Sequence, residues 1–196
     1  MFGRVSNMTP MTNELFWELL KPEHRRAEAF CRKLCGSKDD GDDLYQEALL
    51  AAFQGLEALR EKNAFRNWLY SIIIRRYRNR FREPWWKRRT TLTPEHSENA
   101  AYDPTDRFDS SRWLNRALKA LKTDEKALIV LFEIEGWSIY ELSQIFSRPE
   151  GTIKAKLSRS RKKMRKAILS FLPDHKTKSK LSEAGYALSK STAVNE

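Results

Sequence analysis

Residues Ser138 to Lys166, S-I-Y-E-L-S-Q-I-F-S-R-P-E-G-T-I-K-A-K-L-S-R-S-R-K-K-M-R-K, hold the pattern that decides the fold. Ser138 with Glu141 three residues on is a capping box, which starts a helix. Ile139, Leu142, Ile145 and Phe146 then recur at helical spacing. Ser147-Arg148-Pro149 breaks the run, and Pro149 suits the first position of a second helix. There Ile153, Leu157, Met164 and Ile168 share one face, while Thr152, Ala155, Ser158, Arg159 and Lys162 lie opposite. Arg148 to Lys166 holds nine Lys or Arg and one acid, a net of +8. A surface built only for solubility would mix both signs. Two short helices with an apolar seam and a basic outer face are how helix-turn-helix proteins enter the DNA major groove.

The rest of the chain shows a second basic station. Phe65 to Arg89 nets +8 as well, so the remaining residues carry −5 against a total of +11. That balance and a pI near 9.7 point to a polyanionic partner. No apolar run approaches the roughly 18 residues of a membrane span, and the N-terminus lacks an apolar signal core. The expectation is a cytoplasmic protein with no membrane insertion. Cys31 and Cys35, with His24 upstream, are too few and too poorly spaced for a metal site. They read as two small apolar side chains on one helix face.

Turn signals divide the chain into helices, and no alternation of apolar and polar residues argues for strands. A helical stretch is expected over Asn13 to Leu34, bent near Pro22 and ending at Gly36. After a tight acidic loop, Gly36 to Gly41, a helix runs from Asp42 to Leu59. It buries Leu44, Ala48, Ala51, Ala52, Leu56 and Leu59. Asp42 and Asp43 stand at its start, where carboxylates favour the positive end of the helix dipole. After the polar loop Arg60 to Asn63, a third helix covers Phe65 to Arg82 with Phe65, Trp68, Leu69, Ile72 and Ile73 inward. Arg76 and Arg80 fall in that apolar stripe, which suggests a helix that leaves the core to meet a ligand. Pro84 stops it before Trp85-Trp86.

Pro94 to Ser111 holds five acids and one Arg and no periodicity, the signature of a linker. Beyond it, helices are expected from Arg112, with Leu114, Leu118 and Leu121 apolar, and over Asp124 to Glu135, ending at Gly136. The fold class is therefore all-α: two small helical domains, residues 12–89 and 112–172, joined by a flexible acidic linker, 90–111, the second ending in the helix-turn-helix. Residues 1–11 and 173–196 read as mobile ends.

Two small helical domains, each ending in a basic helix, resemble the extracytoplasmic-function (ECF) group of RNA polymerase sigma factors in the sigma-70 family. The resemblance covers about residues 12 to 170. Asp42-Asp43-Leu44-Tyr45-Gln46-Glu47-Ala48 is similar to the family's region 2.2. Phe65-Arg66-Asn67-Trp68-Leu69-Tyr70 resembles the start of its promoter-reading helix. Glu135-Gly136-Trp137-Ser138-Ile139-Tyr140-Glu141-Leu142 and Pro149-Glu150-Gly151-Thr152-Ile153-Lys154 resemble region 4. Departures at Ile72-Ile73-Ile74-Arg75, Asn79 and Glu150 bear on promoter sequence, and Trp85-Trp86 has no counterpart.

The resemblance implies a non-enzymatic specificity subunit of bacterial RNA polymerase, with no cofactor or metal. Asp42, Asp43, Leu44, Gln46 and Glu47 would dock on the β′ clamp helices, and the second domain on the β flap. Lys62 and Asn63 would capture a flipped base of the −10 element, with Arg75, Arg78, Asn79 and Arg82 at the melting junction. Thr152, Lys154, Ala155, Lys156, Ser158 and Arg159 would read the −35 element, and Lys162 and Lys163 its phosphates. Promoter DNA, core polymerase and an anti-sigma factor are the implied partners, and binding to polymerase places the protein on the nucleoid. Two rivals stand beside this reading. A helix-turn-helix regulator acting without polymerase leaves the second basic station unused. A nucleic-acid enzyme needs clustered carboxylates or histidines, whereas the acids here cap helices or lie in the linker.

Overall fold

A computed structural model describes residues 10–82 and 110–171, and among these every regular element is helical. The first bundle contains α1 (Pro10–Leu20), α2 (His24–Cys35), α3 (Lys38–Gln54) and α4 (Phe65–Arg82). Short 3-10 turns at Leu56–Ala58 and Lys62–Ala64 join the last two. The second contains α5 (Ser110–Lys119), α6 (Thr123–Ile129) with a π turn over Val130–Ile134, α7 (Ile139–Phe146) and α8 (Glu150–Phe171).

The expected stretch Asn13 to Leu34 is two helices, separated at Lys21–Glu23, where the Glu23 N–H bonds the Leu20 carbonyl at 2.9 Å. The next helix starts four residues earlier than expected. Ser37 is its N-cap, its Oγ accepting from the Asp40 N–H at 3.4 Å. Asp39 and Asp40 therefore occupy the first turn, and Asp42-Asp43 the second. The loop shrinks to the left-handed Gly36, φ +72°, whose N–H bonds the Arg32 carbonyl at 2.8 Å. Gly41, read in the sequence as a turn residue, lies inside α3. A Cβ placed there would stand 2.4 Å from the Arg32 Cα, so this glycine lets α2 and α3 approach closely.

Phe30, Leu34, Leu44, Ala48, Leu69 and Ile73 of the first bundle and Leu128, Leu131, Leu142, Ile153 and Leu157 of the second belong to one hydrophobic core that runs through both. Each fully buried Leu, Ile or Phe contributes roughly 1.5–3 kcal/mol. The Ser138–Glu141 capping box forms as expected: Ser138 Oγ accepts from the Glu141 N–H at 3.2 Å, and Glu141 Oε2 accepts from the Ser138 N–H at 2.8 Å. Ser147 then turns left-handed, φ 50°, to end α7, and the Pro149 carbonyl accepts from Thr152 and Ile153 to open α8.

The two bundles are packed together: α4 lies against α6 and α7. Tyr70 and Trp137, both buried, meet with ring centroids 4.6 Å apart. The expected linker lies outside the described residues except for its last two, which already belong to α5. Residues 1–9, Trp85-Trp86 and the tail beyond Phe171 also lie outside them.

Gly41→Ala is expected to destabilise the fold by about 3 kcal/mol, because backbone atoms block the new methyl. Gly151→Ala, with nothing within 4 Å of the added Cβ, should stabilise by about 0.5 kcal/mol. Urea denaturation of both variants checks the contrast; equal midpoints would remove Gly41 from the α2–α3 contact.

Candidate nucleic-acid interface and docking face

Helix α8 presents its expected outer face. Lys154, Ala155, Ser158, Arg159, Lys162 and Lys163 are exposed, and Thr152 and Lys156 are half-buried beside the buried Ile153 and Leu157. Proline at the helix start and the apolar seam together fix which side points outward. Part of this face is already paired. Lys163 Nζ donates to Glu125 Oε1 at 2.6 Å, Lys156 Nζ stands 3.8 Å from Asp124, and Arg161 Nε donates to Glu133 at 2.7 Å. Arg159 Nε donates to the Ala155 carbonyl of its own helix at 3.2 Å, which keeps the guanidinium at the surface.

The arginines of α4 divide by direction. Arg75 and Asn79 are exposed one turn apart on one face, and Lys62 and Asn63 are exposed in the turn before the helix. Arg78 donates to Asp124 Oδ1 at 2.5 Å and lies over the Phe146 ring. The Arg82 side chain lies outside the described residues. Arg76 is half-buried with its Nε buried. Arg80 does not leave the core for a ligand. It is 6% exposed and donates to Glu47 at 2.7 Å and to the Asp40 carbonyl at 3.0 Å. Burial works against its charge, but the Glu47 hydrogen bond together with the charges of Glu47 and the other acidic groups nearby outweighs it, so its pKa is raised. The arginine interrupting the apolar stripe is thus answered by an acid on α3.

The proposed polymerase face on α3 is also sorted by burial. Asp43, Gln46 and Glu47 are exposed, whereas Leu44 is fully buried and belongs to the core. Asp42 is half-buried and accepts from Arg32 Nε at 2.6 Å, a hydrogen bond that holds its carboxyl below the usual carboxylate range. Leu50, 59% exposed, continues the same face one and two turns on. The sequence reading missed it, although its spacing of seven from Asp43 places it there.

Arg78, Lys122, Thr123, Asp124, Glu125, Lys156, Arg159 and Lys163 line a cleft of about 780 Å³ that both domains share. Five cations and two carboxylates converge there. Burial pushes Glu125 up, but the hydrogen bonds from Lys163 and from the Lys122 N–H outweigh it, so its carboxyl sits below the ordinary range. Cys31 is buried, and desolvation raises its pKa well above the ordinary thiol value. Burial likewise pushes Cys35 up to about 12. Among the described residues no three His, Cys, Asp or Glu gather as metal ligands, and no helix is long and apolar enough to cross a membrane.

Arg80→Met should lower stability by about 2 kcal/mol, since it strips a buried hydrogen-bonded charge from Glu47. An unchanged urea midpoint would return Arg80 to the solvent-facing cations.

Known proteins resemble the chain over both bundles. The Sigma-70 region 2 family model matches residues 19–87, and the Sigma-70, region 4 model matches residues 111–164. The ECF RNA polymerase sigma factor SigM of Mycobacterium tuberculosis is 27% identical over 157 residues, covering 80% of this chain and 78% of its own. EcfG of Rhodopseudomonas palustris is 29% identical over 168 residues, covering 79% and 85%. Two solved structures share the fold. One is the sigma factor RpoE in complex with the anti-sigma factor NepR from Bartonella quintana, with TM-score 0.60 and 23% identity over 80% of this chain and 97% of that one. The other is CnrH in complex with the cytosolic domain of CnrY, with TM-score 0.58 and 20% identity over 83% and 97%.

Proposed function

The chain belongs to the ECF group of the sigma-70 family, and on that premise we propose that it is an alternative sigma factor that binds core RNA polymerase and directs promoter-specific initiation. The observation that carries this is the pairing of two basic helices, α4 and α8, in separate bundles, each keeping an exposed polar face. A regulator that reads DNA with α8 alone has no use for the region 2 match over residues 19–87.

The roles follow from what each face offers. On α3, Asp43, Gln46 and Glu47 present acceptors beside the exposed apolar Leu50. That mixture suits a helical partner with basic side chains, such as the β′ clamp helices. On α4, Arg75 and Asn79, with Arg78 and Arg82, supply phosphate neutralisation and stacking planes for the −10 element, while Lys62 and Asn63 hold an unstacked base. On α8, Thr152, Lys154, Ala155, Lys156, Ser158 and Arg159 stand in the helix's first half, where a recognition helix meets base edges. Lys162 and Lys163, further along, fit phosphates. The second domain also rests on the β flap. The chain supplies specificity while polymerase supplies the chemistry, in the bacterial cytoplasm and at the nucleoid. An anti-sigma factor is a further partner, by analogy with the solved complex of a sigma factor with the anti-sigma factor NepR.

Arg159→Ala should lower initiation from the cognate promoter by roughly tenfold or more, the worth of one good base contact, while leaving core affinity unchanged. Equal loss of both would remove Arg159 from base reading. Asp43→Lys should do the reverse, weakening core binding in a pull-down with purified polymerase. Unchanged core affinity there would take Asp43 off the docking face.

A further inference from the structure

We propose that the cleft shared by the two bundles is a binding site for a compact polyphosphate, inorganic or the phosphate chain of a nucleotide, held by Arg78, Lys122, Lys156, Arg159 and Lys163. The site stands on the cleft alone. Only its consequence for promoter reading rests on the sigma-factor reading above.

The first observation is where these cations come from. Arg78 is carried by α4, Lys122 by the turn before α6, and Lys156, Arg159 and Lys163 by successive turns of α8. No single stretch of sequence makes this group; the fold assembles it around a volume of about 780 Å³. That size falls within the roughly 300–1,000 Å³ of small-molecule sites. Duplex DNA spreads its charge along an axis, one negative charge per about 1.7 Å. Cations from three elements closing on one volume suit a short anion that several of them can touch together.

The second observation is the charge balance. Asp124 and Glu125 also line the cleft, so five cations stand against two carboxylates and leave +3. Asp124 pairs with Arg78 and lies 3.8 Å from Lys156, and Glu125 accepts from Lys163 at 2.6 Å. Lys122 and Arg159 form no ion pair among the described residues. A cleft with an excess of one sign focuses the field and gathers counter-ions of the other. A single phosphate leaves part of that excess unanswered, whereas a chain of two or three matches it.

The third observation is the donor set. Lysine and arginine offer donors only, phosphoryl oxygens are strong acceptors, and charge-assisted hydrogen bonds between them are of the strong class. The two carboxylates hold Arg78 and Lys163 in place before any anion arrives, which lowers the ordering cost of binding. Thr123 adds a hydroxyl to the same wall. Lys156, Arg159 and Lys163 belong also to the proposed −35 face, so an occupied cleft withholds them from a promoter.

The test is calorimetric titration of the free full-length protein with inorganic tripolyphosphate at physiological salt. One anion should bind per chain. Lys122→Ala, exposed and outside every face proposed for DNA or polymerase, should weaken binding by about tenfold, the worth of one charge-assisted hydrogen bond. Lys162→Ala removes the same charge one residue from Lys163 but outside the cleft. Salt screening should hold its effect below about twofold. Asp124→Asn keeps the shape, removes one competing carboxylate, and should tighten binding by roughly threefold.

A nucleoside triphosphate in place of tripolyphosphate tells the two sources apart. Equal affinity assigns the site to the phosphate chain, tighter binding adds a contact to the nucleoside, and either upholds the site. Absence of binding, or several anions per chain, would overturn it. So would equal losses in Lys122→Ala and Lys162→Ala, or an unchanged affinity in Asp124→Asn. The titration uses neither DNA nor polymerase, so its failure leaves the sigma-factor reading untouched. A chain that binds the anion but fails to initiate transcription counts against that reading alone.

Discussion

Helix α4 must bury an apolar stripe while carrying six arginines in eighteen residues, and the rest of the structure is arranged around that constraint. It packs on α2 and α3 on one side and on α6 and α7 on the other. A guanidinium cannot enter such a contact unpaired, because an uncompensated buried charge costs far more than the surface it covers. The chain answers with acids from both neighbours. Glu47 of α3 takes Arg80, Asp124 of α6 takes Arg78, and Arg66 lies among Glu23, Glu141 and the face of Trp137. Arg75 and Asn79 point away from all of these elements. One helix thereby divides, by angle around its axis, into core, inter-bundle contact and exposed polar face.

Much of this was legible in the sequence wherever the signal is local. The capping box at Ser138, the break at Ser147 to Pro149 and the limits of α4 all depend on residues within one turn of each other, and the structure reproduces them. The failures have a common physical origin. Two glycines five residues apart, Gly36 and Gly41, signal a loop and mask Ser37 as an N-cap, and nothing local reveals that Arg32 needs Gly41's missing side chain. Arg80 and Arg75 are the same residue type five positions apart on one helix. Only the position of Glu47, 33 residues earlier in the chain, decides that one is core and the other surface. Trp137 looked like part of a motif, yet its neighbours Tyr70 and Arg66 belong to the other domain. Periodicity says which side of a helix is covered and is silent about what covers it.

The candidate site shows the same division. Local reasoning found the outer face of α8, since burial of Ile153 and Leu157 leaves Lys154, Ser158 and Arg159 no other direction. The family resemblance put Leu44 among the docking residues, while helical spacing put it on the buried side, and the structure has it in the core. The acidic residues in the first turn of α6 were read only as the start of a helix. They do occupy the positive end of a helix dipole, and the same position aims them at Arg78, Lys156 and Lys163.

That double use bears on how a protein with so much positive charge stays selective. A face of unpaired cations binds any polyanion, with an affinity set by counterion release rather than sequence. Carboxylates standing among the cations lower this indiscriminate attraction and leave the hydrogen-bonding geometry in place. A nucleic acid must then offer more than charge, because it has to replace Asp124 and Glu125 at the cations they already satisfy. Exposed residues such as Ser158 and Arg159 make no ion pair with those acids and stay at the surface, with the Arg159 Nε engaged by the Ala155 carbonyl of its own helix. The consequence is a division of labour along α8. On the proposed reading of α8, the cations tied to α6 would set a threshold for binding and the open positions would decide which sequence crosses it.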